Sequence, residues 1–146
     1  MHKALVGIDI GTTNIKVSAY TEKGDRLADY AMKNEILYDN DFADFDGSDI
    51  FQKVLKMLKA LVAQGLEIRS IGVSSLAESM FPLRGESKED VGRTMVWFDK
   101  RTEGVMAEFL QEFGSERFSR ITGLVPSYLY SIHKIHWYHR YSCVSQ

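Results

Sequence analysis

Residues 5–16, LVGIDIGTTNIK, constrain the fold more than any other stretch. An apolar run (Leu5, Val6, Ile8, Ile10) breaks at Gly11-Thr12-Thr13-Asn14, and Ile15, Val17 and Ala19 then alternate with polar residues. A short apolar run bounded by a turn reads as a buried strand, and strict alternation as a half-buried one. The chain therefore opens with two strands joined at a tip that carries a glycine, two hydroxyls, an amide and the Lys16 cation, with Asp9 at its base. Gly11 admits backbone angles that a side chain would forbid. Neighbouring N–H groups can then converge on an anion. Asp9 is poised to hold Mg²⁺ directly or through water, because that cation takes oxygen ligands and keeps some of its waters. The same residues also suit an ordinary tight hairpin, with Gly11 making the turn and Asp9 merely solvated. Two other phosphate loops are excluded. The chain has no G-x-x-x-x-G-K-[ST] run, and Gly7 and Gly11 do not form G-x-G-x-x-G before a helix.

Beyond the hairpin, Glu22-Lys23-Gly24-Asp25 is a turn and residues 26–33 read as a third strand, completing an antiparallel meander. Residues 49–64 carry Ile50, Phe51, Val54, Leu55, Leu58, Leu61 and Val62 at helical spacing, and Gly65 suits the helix end. Residues 68–75, with Ile71 and Val73, read as a buried strand. A strand, a crossover helix and a strand of this length imply parallel pairing. Residues 80–84 read as another short strand, 85–92 as a charged loop and 94–97 as a strand end. From Lys100 the pattern is helical, with Val105, Met106, Phe109, Leu110 and Phe113 on one face. A short helix over 115–120 stops at Thr122-Gly123. A last helix over 131–141 turns Ile132, Ile135 and Tyr138 inward. The expected class is α/β: a mixed sheet with an antiparallel N-terminal meander and flanking helices.

Two clusters invite a metal and are better read without one. Asp39, Asp41, Asp44, Asp46 and Asp49 lack the alternating ladder of a calcium loop, because Phe42 stands two residues before Asp44. They read as a solvated loop ending in a helix cap at Asp46 or Ser48. His133, His136 and His139 drift around their helix at steps of three and read as a polar face. Cys143 is the single cysteine, so neither a disulfide framework nor a cysteine metal site forms within the chain. A net charge of −2 argues against nucleic-acid or membrane binding through bulk charge. No run is long enough to span a membrane and no signal-peptide pattern opens the chain, so a cytoplasmic protein is expected.

The match Asp9-x-Gly11-Thr12-Thr13-Asn14-x-Lys16 resembles the first phosphate motif of the sugar kinase, heat-shock ATPase and actin superfamily. Two further stretches narrow it: residues 71–83, IGVSSLAESMFPL, and residues 95–102, MVWFDKRT, with Trp97, Asp99, Arg101 and Thr102 fitting W-x-D-x-R-T/S. With Thr122-Gly123-Leu124 and the Tyr130-Ser131…Lys134…Trp137 pattern, they resemble the FGGY family of carbohydrate kinases over residues 5–141. The resemblance implies a ribonuclease-H-like (actin-like ATPase) fold and ATP-dependent phosphorylation of a sugar or polyol hydroxyl. It implies that Asp9 organises Mg²⁺, that Gly11, Thr12, Thr13 and Asn14 cradle ATP phosphates, and that Lys16 faces the transferring phosphoryl. Such roles suit phosphoryl transfer, which is mainly positioning and charge neutralisation. Ala77 and Glu78 occupy the substrate-reading pair. Glycerol kinases resemble the chain at Glu78 but carry arginine in place of Ala77, and xylulose kinases carry methionine and histidine there. Glu78 can accept from two sugar hydroxyls. Trp97 either presents a flat face to sugar C–H groups or belongs to a core. Asp99 either reads a hydroxyl or fixes Arg101.

The resemblance also implies that residues 1–146 are an incomplete N-terminal domain. The catalytic aspartate, the second phosphate motif and the adenosine pocket would fall beyond Gln146, and the isolated chain would lack turnover. The ending after Tyr141 reads as a cut chain, a frameshift tail or a truncated gene product. The alternative is a non-catalytic ligand-binding or oligomerising module, in which apolar surface left open by the missing part drives association, a homodimer being one form.

Overall fold

A computed structural model describes residues 2–87 and 94–141; part of the charged loop expected over 85–92, and Cys143, lie outside them. In chain order the elements are β1 (His2–Ile10), β2 (Asn14–Tyr20), β3 (Arg26–Lys33), β4 (Ile36–Asp39), β5 (Phe42–Phe45), α1 (Gly47–Ala63), β6 (Leu66–Ser75), β7 (Thr94–Met95), α2 (Glu103–Phe113), α3 (Ser115–Thr122) and α4 (Ser131–Tyr141). They fall into two compact units, residues 1–36 with 46–77, and residues 37–45 with 78–146. Among the described residues no helix is long and apolar enough to cross a membrane.

The first unit holds a mixed four-stranded sheet in the order β3-β2-β1-β6. β1 and β2 pair antiparallel, with Ile8 opposite Val17 and Asp9 opposite Lys16. β3 continues the meander on β2. After α1, β6 returns parallel to β1, as its spacing predicts. Alternation puts Ala4, Val6 and Ile8 with Ile15, Val17 and Ala19 in the core. α1 brings Ile50, Val54, Met57 and Leu61 to that interior. Phe51 and Val62 of the expected stripe are exposed, and Met57 takes their place in the core.

The N-terminus of α1 is capped as its sequence predicts. The Asp46 carboxylate accepts from the Asp49 backbone N–H at 2.9 Å, and Gly65 follows the last turn at φ +83°. Replacing Asp46 with alanine is expected to cost about 1 kcal/mol, read as a lower urea midpoint at unchanged slope.

The first unit also corrects the expectation for residues 68–75. Ile71 is 47% and Val73 65% exposed, although both were expected to be buried. They pair with Val6 and Ile8 of β1, but β6 is the outer strand of the sheet, and only its start at Leu66 is enclosed.

The second unit holds a three-stranded sheet, β4-β5-β7, and the helices α2, α3 and α4. The acidic stretch before α1 is not a solvated loop. Residues 36–45 form β4 and β5 around Asn40, at φ +54°, and β5 pairs antiparallel with β7, Asp44 opposite Met95. Residues 80–84 form no strand beyond a single bridge at Leu83. Helices α2 and α3 end at Gly114 and Gly123, both at positive φ. In α4, Tyr138 is buried as expected, but Ile132 and Ile135 are exposed, and His133 and Lys134 are enclosed instead.

Candidate functional site

The tip of the β1–β2 hairpin is a closed turn. Gly11 N donates to the Asn14 carbonyl at 2.9 Å, and a Cβ at Gly11 would stand 3.0 Å from that same oxygen. Asn34, at the end of β3 and 3% exposed, pins the turn from behind. Its side-chain N–H donates to the Gly11 carbonyl and its backbone N–H to the Thr13 carbonyl, both at 2.8 Å. Asp9 and Lys16 are exposed and face each other across the two strands. Thr13 and Asn14 are exposed at the tip, and Gly11 and Thr12 are half-buried. The predicted phosphate set is thus gathered on one hairpin. A single open carboxylate fits Mg²⁺, which needs few protein ligands. Asn34 is missing from the sequence reading, because its contacts depend on how β3 ends.

The second predicted set is divided. Ala77 is the last residue of the first unit, and Glu78 begins the longer segment of the second. Glu78 is half-buried with φ +58°, a left-handed conformation that is uncommon for a residue with a side chain. Its Oε2 accepts from the Ser131 backbone N–H at 2.5 Å and the Ser131 hydroxyl at 2.7 Å. Lys134, fully buried, donates through Nζ to the Glu78 carbonyl and, at 2.8 Å, to the Leu129 carbonyl. Burial holds its ammonium below the usual lysine range, against the pull of Glu78 and Asp99. Glu78 also borders a cavity of about 370 Å³, walled largely by Phe109, Phe113, Phe118 and Tyr130.

Trp97 is 40% exposed, with its ring perpendicular to that of Phe98 at 5.2 Å between centroids. Asp99 carries two readings from the sequence, a contact to a substrate hydroxyl and the fixing of Arg101. It is 2% exposed, and both carboxylate oxygens are already engaged. Oδ1 accepts from Arg101 N and Nε, and Oδ2 from Arg101 Nη2 and the Ala43 N–H. Of its two sequence readings, the geometry is that of the group that fixes Arg101. Arg101 reaches on to Asp44 at 2.9 Å, and its guanidinium lies 4.3 Å from the ring centre of Phe42 and 5.4 Å from that of Trp137. Burial pushes the Asp99 carboxyl up, but the Arg101 guanidinium and the backbone N–H groups hold it below the usual carboxylate range.

Residues 4–142 match the sequence profile described as the FGGY family of carbohydrate kinases, N-terminal domain. The chain belongs to that family. It is 30% identical over 136 residues to a glycerol kinase of Aquifex aeolicus (strain VF5), covering 91% of this chain and 27% of the relative. It is 27% identical over 128 residues to a rhamnulokinase of Yersinia pestis bv. Antiqua (strain Angola), covering 82% of this chain and 26% of that one. In fold it is similar to Plasmodium falciparum glycerol kinase solved with ADP: TM-score 0.87, 20% identity, 99% of this chain and 30% of that one. This FGGY chain thus spans less than a third of the length of the relatives it matches.

One histidine of this FGGY chain departs from its expected place on a polar face. His133 is fully buried, packs in a T-shaped contact with Phe109 at 5.5 Å between centroids, and has no hydrogen-bond partner on either ring nitrogen among the described residues. Burial, then the nearby charges of His136 and Lys134, depress its pKa. The unfolded chain therefore takes up a proton below about pH 6.5 that the folded chain refuses, and stability falls as pH drops through that range. A His133→Leu variant is expected to lose less stability than wild type between pH 7 and 5, with a difference in slope of at most about 1.4 kcal/mol per pH unit. Urea melts at the two pH values measure it.

Proposed function

We propose that this chain is the N-terminal part of an ATP-dependent kinase that phosphorylates a hydroxyl of a sugar or polyol in the cytoplasm. The β1–β2 hairpin carries the reading. Its tip, built from Gly11, Thr12, Thr13 and Asn14, would cradle phosphates through backbone N–H groups and hydroxyls. Lys16 would neutralise charge on the transferring group, and Asp9 would hold Mg²⁺, which supplies charge stabilisation to the phosphates. Glu78 would accept from substrate hydroxyls and Trp97 would cover an apolar sugar face. Ala77 would leave room where a longer side chain would reach substrate. The general base and the rest of the nucleotide pocket would come from sequence beyond this chain, as the greater length of the relatives supports.

The test is an ADP-release assay on the complete product of the reading frame that contains this chain, against a panel of polyols and ketoses. Saturable, Mg²⁺-dependent phosphorylation of at least one supports the reading. No turnover with any, together with no ATP binding, refutes it. A second reading, an oligomerising module, is favoured by the exposure of Ile71 and Val73 on β6. Sedimentation of the 146-residue chain as monomer alone at high concentration would count against it.

A further inference from the structure

We propose that the start of α4 is a positioning clamp for Glu78, with Ser131 setting its carboxylate and Lys134 its backbone. The inference rests on Glu78 as the substrate-reading group and adds what holds it in place. Glu78 adopts φ +58° without being glycine, a strained conformation that surrounding contacts must offset. Those contacts converge from one element. The Ser131 N–H, free at a helix start, and the Ser131 hydroxyl both bind Oε2. Oε1 has no partner among the described residues and remains for a substrate hydroxyl. Lys134 is the stronger sign of design. An ammonium with no exposure, far costlier to bury than an apolar side chain, is committed to two backbone carbonyls, one of them that of Glu78. A lysine needed only for packing would send its charge to solvent. The side chain is thus fixed at both ends before substrate arrives, so less ordering remains to be done on binding.

Two readouts test the clamp. In the 146-residue chain, the Glu78 amide-to-Hα coupling and the Ser131 amide exchange rate are compared in wild type, Ser131→Ala, Ser131→Thr and Lys134→Met. Ser131→Ala and Lys134→Met should move the coupling away from its left-handed value. Ser131→Ala should speed exchange by about tenfold, and Ser131→Thr should restore both. Should Lys134→Met fail to fold, the two Ser131 variants decide. An unchanged coupling in folded Ser131→Ala and Lys134→Met overturns the clamp. In the complete kinase, Ser131→Ala should raise KM for the sugar about tenfold, more than it lowers kcat, and Ser131→Thr should reverse it. If Glu78→Gln raises KM and Ser131→Ala does not, the clamp alone is overturned. If Glu78→Gln leaves KM unchanged, the substrate-reading role of Glu78 is what fails.

Discussion

Replacing Arg101 with methionine is expected to destabilise the protein by about 3–5 kcal/mol, a large share of what holds a domain of this size together. Arg101 is enclosed with two carboxylates, its side chain 7% exposed, that of Asp44 4% and that of Asp99 0%. Its Nε and Nη2 meet the two oxygens of Asp99 at 2.7 and 2.8 Å, a bidentate pair that lysine cannot reproduce. Removing the guanidinium leaves two enclosed acids without the cation that pairs them. A buried ion pair is worth little against a well-packed apolar replacement of all its members. Breaking it from one side is what costs.

The pH dependence separates this account from a simple loss of packing. In wild type, Asp99 is held below the usual carboxylate range, so its contribution is complete above about pH 4 and is lost as pH falls further. In Arg101→Met the same carboxyl lacks its cation, its pKa rises, and protonation relieves it. The deficit against wild type should therefore shrink between pH 7 and 4.5 in urea melts. Changing Asp99 to asparagine in the same chain should recover part of it at pH 7. A loss under about 1 kcal/mol, or one that does not change with pH, would sink the account.

This network shows where the sequence stops being legible. The meander, α1 and the parallel return of β6 follow from local periodicity, and their register is what the alternation of Val6, Ile8, Ile15 and Val17 requires. Asp44 is different. Among Asp39, Asp41, Asp46 and Asp49 it reads as one more solvated acid, and only Arg101, 57 residues away, makes it a buried one. The same holds for Asn34, whose side chain reaches 23 residues back to Gly11, and for Glu78, 53 residues from Ser131. Ile71 and Val73 fail in the opposite sense. An apolar run predicts burial only if something covers it, and β6 is the outer strand of its sheet. The site is legible as a set of residue types at the right spacing, but the partners that fix those residues are not.

Replacing Asp9 with asparagine is expected to lower phosphoryl transfer by about 100-fold or more in the complete kinase while leaving the fold intact. The asymmetry follows from where Asp9 stands. Its neighbour Ile8 points into the core, so Asp9 points the other way, exposed, and its removal opens no cavity. The stability cost should stay within about 0.5 kcal/mol, as for other exposed positions. The chemical cost is larger because asparagine keeps the shape and one acceptor oxygen but not the charge. Mg²⁺ binds carboxylates far more readily than amides, and Lys16, directly across the strands, would then bring positive charge to the phosphates without its acidic neighbour. A Mg²⁺ titration reads this directly: Asp9→Asn should need more metal for half-maximal rate and keep a reduced rate at saturation. A Lys16→Met variant should lower the rate without shifting the metal requirement. If Asp9→Asn instead leaves the metal requirement where it was and lowers the melting temperature, Asp9 belongs to the hairpin's structure and the metal must be held elsewhere.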